Sequence, residues 1–331
     1  MAPSGIEDIT AGLGALEQPG VGLPGHTLPG HATLPAARAK RPRSLEMADI
    51  LHRFGQSFRD THDLNSEQLK VMSAIKHCRT AAYGLHVDVC DACGHSQSAF
   101  NSCRNRHCPK CQGIAQRKWV NARLDELLPV SYHHVVFTLP NPLSMLSVHN
   151  QRVIYDLLFE AAAQTLLCFG HDPKWLGAQI GFYGILHTWS QTLWPHPHLH
   201  FIVTAGGLSP DGQWVEPKYK RTFLFPVKAL SQVFRGKFIQ GLKSAYASGE
   251  LVFADTLKIT DPAAFERWVN QLVSRHWVVY SKPPFGGPDE VVRYIGRYSH
   301  RVTISNYRLV SLQDGKVCFS YKDRREKDKP L

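Results

Sequence analysis

Residues 187–200 read HTWSQTLWPHPHLH, and the last three letters decide how the rest of the chain is understood. Side chains alternate faces along a β-strand, so His198 and His200 point one way while Leu199, Phe201 and Val203 point into a core. Two imidazoles side by side on a half-buried strand are suited to holding a metal ion. A third ligand would come from the preceding strand, where His187 and Gln191 share the face of Trp189. If Gln191 stands opposite His198, the connection is Thr192–Pro197; if His187 does, it lengthens to Thr188–Pro197. Shorter connections are commoner, so the sequence favours Gln191, with His187 as second choice. His196, in the turn between two prolines, is a weaker candidate. A His198, His200 and Gln191 set leaves positions open for a phosphate oxygen and water, as a catalytic Mg²⁺ or Mn²⁺ requires.

About ninety residues later the chain reads RYIGRYSHR (293–301). Pro288-Asp289-Glu290 is a favourable first turn, and it predicts a helix over 288–299. Tyr294 and Tyr298 then lie one turn apart on one face. Together with Val291 and Ile295 they also fit the buried stripe of an amphipathic helix, and alone that would explain them. They gain chemical meaning beside the histidines, since a metal and paired phenols suit covalent chemistry at a phosphodiester. Arg293, Arg297 and Arg301 line another helix face, a strip suited to phosphates.

Residues 77–112 hold six of the eight cysteines. Cys90-x-x-Cys93 and Cys108-x-x-Cys111 are two knuckles that can complete one tetrahedral zinc site. Cys78, His86, Cys103 and His107 remain for a second, interleaved site. Arg104, Arg106 and Lys110, with Arg117 and Lys118, surround these ligands and point to phosphate contact. Cys168 and Cys318 sit in apolar contexts and read as packed core thiols.

The chain has 331 residues, 43% of them hydrophobic, enough for a real core and for two domains or one large one with an appended module. Its formal charge of +11 favours a polyanionic partner, most simply nucleic acid. No apolar run reads as long enough to span a bilayer. Glu7 and Asp8 come early, with no basic start leading into an apolar block, so the N-terminus does not read as a secretory signal. The expectation is a cytoplasmic protein without a membrane partner, whose cysteines bind metal rather than form disulfides.

The Gly-, Pro- and Ala-rich residues 1–43 read as a disordered lead-in. Residues 44–128 read as a helical, zinc-binding and DNA-binding domain, with helices near 45–54, 66–76 and 113–128. Residues 129–322 read as a catalytic domain. In it, strands are expected over 132–140, 179–191, 198–204 and 278–280, and helices over 150–168, 226–248, 262–273 and 288–299. A hairpin of 301–312 and 316–321 turns at Asp314-Gly315, and 323–331 is a charged tail. The fold class is α+β: an antiparallel sheet carrying both motifs, with flanking helices on one side, preceded by a small zinc module.

The combination of SCRNRHCPKCQ (102–112), HVVFTLP (134–140), HTWSQTLWPHPHLH (187–200) and YIGRYSHRVTIS (294–305) resembles the IS-ninety-one family of rolling-circle transposases. These belong to the nucleases named for a His-hydrophobic-His motif, which include replication initiators and conjugative relaxases. The resemblance covers about residues 44–322. It implies cleavage and rejoining of single-stranded or hairpin DNA through a 5′-phosphotyrosine, with His198 and His200 as metal ligands and Tyr294 and Tyr298 as nucleophiles. Trp189, Trp194 and Trp214 are available to stack bases. Residues 1–43 do not resemble the family, and the short stretch after the hairpin reads as a truncated C-terminus. Three other readings remain: a replication initiator or relaxase with the same chemistry, a non-catalytic zinc-finger DNA-binding remnant, and a metal-dependent phosphodiesterase that uses water, with the tyrosines as core.

Overall fold

The structure, a computed structural model, describes residues 44–218, 224–254, 257, 259–282, 288–299 and 302–321. The expected lead-in at 1–43, Arg301 and the tail from residue 322 lie outside them. From Ser44 onward the chain forms one compact unit.

The N-terminal part is two short helices, α1 (Met47–Thr61) and α2 (Ser66–His77), a hairpin of β1 (Leu85–Val89) and β2 (Ser96–Phe100), and α3 (Gln112–Asp125). Capping boxes start both helices: Glu46 with Asp49 on α1, and Asn65 with Gln68 on α2. The hairpin was not expected from the sequence, whose cysteines dominate that stretch.

The central sheet runs β4–β5–β3–β7, with short β6 (Trp214–Val215) beside β5, and every pairing is antiparallel. β3 is Tyr132–Thr138, β4 Gln179–Trp189, β5 Pro195–Leu208 and β7 Val278–Lys282. One face carries Val135, Phe137, Leu199, Phe201 and Val203 into the main core. The helices α5 (Gln151–His171), α6 (Val227–Ala247) and α7 (Pro262–Ser274) close over that face, and α4 (Asn141–His149) leads from β3 into α5. Asp261 caps α7 by accepting the Ala264 amide, and Pro262 occupies the first helical turn.

Helices were expected on one side only. The other face is covered too, by α8 (Pro288–Ser299) and α3: Val291 and Ile295 pack with Tyr132 and Ile202, and Trp119 joins them. The tyrosine motif therefore lies on a helix laid across the sheet.

α5 is long and apolar enough to cross a membrane by length and composition, contrary to the sequence expectation. Here its Ile154, Leu158, Ala162 and Leu166 are buried in the main core. Cys168, on the same helix, is exposed. Cys318 is exposed as well, on the two-stranded hairpin β8 (Leu309–Gln313) and β9 (Lys316–Phe319). Neither is the packed thiol expected. Asp314 and Gly315, at φ 50° and 72°, make the expected hairpin turn. Its first strand starts at Leu309, since a short 3₁₀ turn takes Asn306–Arg308.

Candidate metal centre and nucleophile helix

β4 and β5 place His187 directly opposite His198, with Ile185 opposite His200. Ring nitrogens of His187, His198 and His200 lie within 4.8 Å of one another. Ring centroids are 4.8 to 5.2 Å apart and the planes are inclined by 64° to 87°, so three rings converge rather than stack. His187 and His200 are buried, His198 half-buried.

The register thus puts His187, rather than the favoured Gln191, opposite His198. Gln191 sits in the turn, where its backbone carbonyl accepts from Arg308 Nη2 at 2.6 Å. The loop-length argument failed because β5 begins at Pro195 rather than His198. Trp189 pairs with Pro195 after a bulge, and Ser190–Trp194 closes the turn with Leu193 at φ 68°. Prolines are tolerated there because β3 ends at Thr138, opposite His198, so no strand on that side requires the amide of residue 195 or 197.

The unprotonated ring nitrogens can be assigned by hydrogen bonding. His198 Nδ1 lies 2.6 Å from the His196 carbonyl, which can only accept; Nδ1 therefore carries the proton and Nε2 is left to ligate. His200 Nδ1 lies 2.8 Å from Nε2 of buried His134, which leaves its own Nε2 for the centre. Burial lowers His134 to a pKa of about 4, helped by the nearby Lys282 ammonium, so it is neutral at pH 7. Three converging imidazoles, with His198 presenting Nε2, fit a divalent cation.

Tyr294 projects from α8 toward the same face. Its ring centroid is 5.6 Å from that of His134, and Lys282 Nζ is 5.9 Å from it. Tyr298 follows one turn later, but its side chain, like that of Arg297, lies outside the described residues. α8 is held by α3: Gln116 Nε2 donates to the Gly296 carbonyl at 2.7 Å, and a Cβ at Gly296 would meet Val120 Cγ2 at 2.2 Å. Glycine is needed because the two helices touch there.

The zinc ligands also regroup. Cys78, Cys103, Cys108 and Cys111 bring their sulfurs within 4.8 Å of one another, with Cys111 at 3.4 Å from Cys78 and 3.6 Å from Cys103. Zn–S bonds of about 2.3 Å in a tetrahedron put sulfurs about 3.8 Å apart, so the cluster fits zinc. Burial pushes the Cys103 thiol up to about 11, and pushes Cys108 up further. Left without a cation these groups would stay protonated in an apolar pocket.

Cys90 and Cys93 stand instead at the exposed tip between β1 and β2, where the amides of Ala92 and Cys93 hold the Cys90 thiol below its ordinary value. His86 bonds Asn101 Oδ1 through Nδ1 at 2.7 Å. Among the described residues neither His86 nor His107 belongs to a metal-competent group. The knuckle spacing misled because Cys78, ending α2, and Cys103 lie far apart in sequence and meet only after the hairpin folds.

Of the expected phosphate-binding cations, Arg104, Arg106 and Arg293 are exposed. Lys110 is paired with Glu46 at 2.6 Å and holds α1 to the cysteine cluster. Sequence reading missed His134, Lys282, Gln116 and Arg308. His134 alternates with Val136 and Thr138, which was visible, but its partner depends on the β3–β5 register, which was not.

Residues 181–330 match the family described as "Putative transposase", and residues 50–139 the one described as "Transposase zinc-binding domain". "Putative transposase y4qJ" of Sinorhizobium fredii is 49% identical over 287 residues, 86% of this chain and 72% of that protein. "Transposase for insertion sequence element IS801" of Pseudomonas savastanoi pv. phaseolicola is 28% identical over 265 residues, 79% of this chain and 62% of that protein. A solved structure of the conjugative relaxase TrwC in complex with oriT DNA, metal-bound, aligns over 72% of this chain and 96% of its own at 11% identity and TM-score 0.31, too loose a superposition to support an argument. Matched in both parts by transposase families, zinc-binding domain first, the chain belongs to the IS-ninety-one family of transposases.

Proposed function

We propose that this transposase cuts and rejoins single-stranded DNA, including hairpin ends, through a covalent tyrosine intermediate beside a metal held by His187, His198 and His200. One observation carries the reading: the three converging imidazoles and the Tyr294 ring share one sheet face, with His134 between them. A bound Mg²⁺ or Mn²⁺ would supply Lewis-acid polarisation of the scissile phosphate. His187, His198 and His200 would hold it through unprotonated ring nitrogens.

Tyr294 or Tyr298 attacks phosphorus as its phenol gives up its proton. A P–O bond to the tyrosine forms, the P–O3′ bond breaks, and the departing 3′-oxygen takes a proton. The product is a 5′-phosphotyrosine and a free 3′-hydroxyl. Because one phosphoester replaces another, a later 3′-hydroxyl can reverse the step without ATP. Two tyrosines allow two linked strand events. Lys282, 5.9 Å from the Tyr294 ring, favours negative charge on the phosphate or phenolate nearby. Exposed Trp194 and Tyr280 offer faces on which unpaired bases can stack. Trp189 is instead stacked on His187, and Trp214 gives its indole N–H to Glu216.

Labelled single-stranded element-end DNA, incubated with Mn²⁺ and resolved on a denaturing gel, tests the reading. The wild type is expected to form a metal-dependent protein–DNA adduct that the Tyr294→Phe, Tyr298→Phe double variant loses. Cleavage without an adduct would make water the nucleophile. Binding of DNA with neither outcome would favour the non-catalytic DNA-binding reading.

A further inference from the structure

We infer that His134 is a positioning residue for the metal centre: it fixes His200 in the tautomer that presents Nε2, and so sets how tightly the site holds a cation. The inference rests on the metal-centre reading above. His134 is 4% exposed, in the middle of the sheet, where β3 pairs with β5 on one side and β7 on the other. Its Nε2 lies 2.8 Å from His200 Nδ1, and the two ring planes differ by only 10°. Imidazole N–H bonds and lone pairs lie in the ring plane, so near-parallel rings with nitrogens this close describe a directed hydrogen bond.

One proton lies between the two nitrogens, and it belongs to one ring. If His200 lends its Nε2 lone pair to a cation, its proton sits on Nδ1 and His134 Nε2 accepts it. His134 is then the Nδ1–H tautomer. Were the proton on His134 Nε2 instead, His200 would carry its own on Nε2, pointing at the centre and blocking it.

His198 and His200 differ in this respect. His198 is oriented by a backbone carbonyl of its own strand, which no side-chain substitution removes. His200 is oriented by a side chain. Outer partners of metal-bound histidines are commonly carboxylates, backbone carbonyls or water. A neutral imidazole performs the same orientation without adding negative charge, so a bound cation keeps its full charge for a phosphate. The Tyr294 ring meets His134 edge to face, its centroid 5.6 Å away and its plane inclined at 65°.

The test is Mn²⁺ binding to the full, zinc-loaded chain, measured by calorimetry for wild type, His134→Leu, His134→Gln and His198→Ala. Loss of an outer-shell partner weakens metal affinity roughly 10- to 100-fold, and that is the expectation for His134→Leu. Glutamine offers an acceptor oxygen near the position of Nε2, so His134→Gln should return to within a few-fold of wild type. Nitrogen-15 NMR of the metal-free chain should show His200 protonated at Nδ1 in wild type and a tautomer mixture in His134→Leu. Equal affinities for His134→Leu and wild type would overturn the inference. So would a His134→Gln as weak as His134→Leu, which would assign His134 a packing role. If the wild type shows no Mn²⁺ site that His198→Ala removes, the metal-centre reading itself falls, and this inference with it.

Discussion

Every residue of β1 and β2 is exposed, whereas β3 and β5 are buried along most of their length. The cysteine module has a small core of Ile75, Cys78 and Cys108, flanked by Met47, Leu51 and Val71. The sheet has a large apolar core of aromatic and aliphatic side chains from β3, β5, α5, α6 and α7. Both regions gather side chains that could hold a metal ion, but the order of cause is reversed. In the module the thiols are the core, and a cation is what holds α2, the hairpin and α3 together. In the sheet the apolar face fixes the register, and the register brings the imidazoles together whether or not a cation arrives.

The largest expected effect breaks that contrast if it is wrong. Stripping zinc with a strong chelator, or making Cys103→Ser, should unfold the module and leave the sheet. Structural zinc contributes on the order of 10 kcal/mol in small domains, more than this module's core can replace. Hydrogen exchange should show α1 and α2 losing protection while β3 and β5 keep theirs. Cys90→Ser should leave tightly bound zinc in place. Zinc lost from Cys90→Ser but retained in Cys103→Ser would restore the knuckle pairing that spacing alone suggests.

Within the sheet, His187→Ala and Gln191→Ala separate the two candidate third ligands. His187→Ala removes a buried imidazole from the centre and should cut adduct formation by more than roughly 100-fold, beyond the loss expected for an outer-shell partner. Gln191→Ala leaves the backbone carbonyl that Arg308 uses and should stay within a few-fold of wild type. The reverse ranking would mean that the turn closes onto the metal during catalysis.

The two regions also touch, where α3 packs on α8 at Gly296. Gly296→Ala forces a methyl toward Val120 and should cost about 1–3 kcal/mol of stability, as overpacking usually does. Because α8 carries Tyr294, adduct formation should fall while Mn²⁺ affinity stays near wild type. Adding Val120→Ala should recover much of the loss. An unchanged adduct rate in Gly296→Ala would uncouple the cysteine module from nucleophile placement.

These contacts show what the sequence could and could not reveal. Period-two alternation in YHHVVFT and PHPHLHFIV marks both central strands, and the apolar stripes mark α5, α6, α7 and α8. His198 and His200 follow from the same alternation. Their partners do not, because register depends on where a strand starts. Taking His198 as the first strand residue displaced the pairing and favoured Gln191 over His187. Cysteine spacing likewise reports only what one knuckle can do, and Cys78 and Cys103 reach Cys111 through the tertiary path of a hairpin that turn chemistry did not announce.

His133 and His134 bring the contrast down to two adjacent residues. His134 faces the metal centre and bonds His200; His133 points the other way, shares the main-core face with Val135 and Phe137, and its Nδ1 has no hydrogen-bond partner among the described residues. Burial lowers the His133 pKa from 6.5 to about 4, although a backbone hydrogen bond at Lys282 partly opposes this. The unfolded chain therefore binds a proton between pH 6.5 and 4 that the folded chain does not. Stability is full above pH 6.5 and declines as pH falls toward 4, at up to about 1.4 kcal/mol per pH unit for this group. Urea unfolding of the sheet at pH 7 and pH 5 should thus show a loss of about 2 kcal/mol attributable to His133. His133→Leu keeps the volume, removes the titrating ring and should abolish that part of the difference. His134→Leu, by contrast, also removes the partner of His200, so its stability and Mn²⁺ affinity should both change. If His133→Leu left the pH dependence intact, the decline would arise elsewhere, and the apolar face would not be charging the penalty that its burial implies.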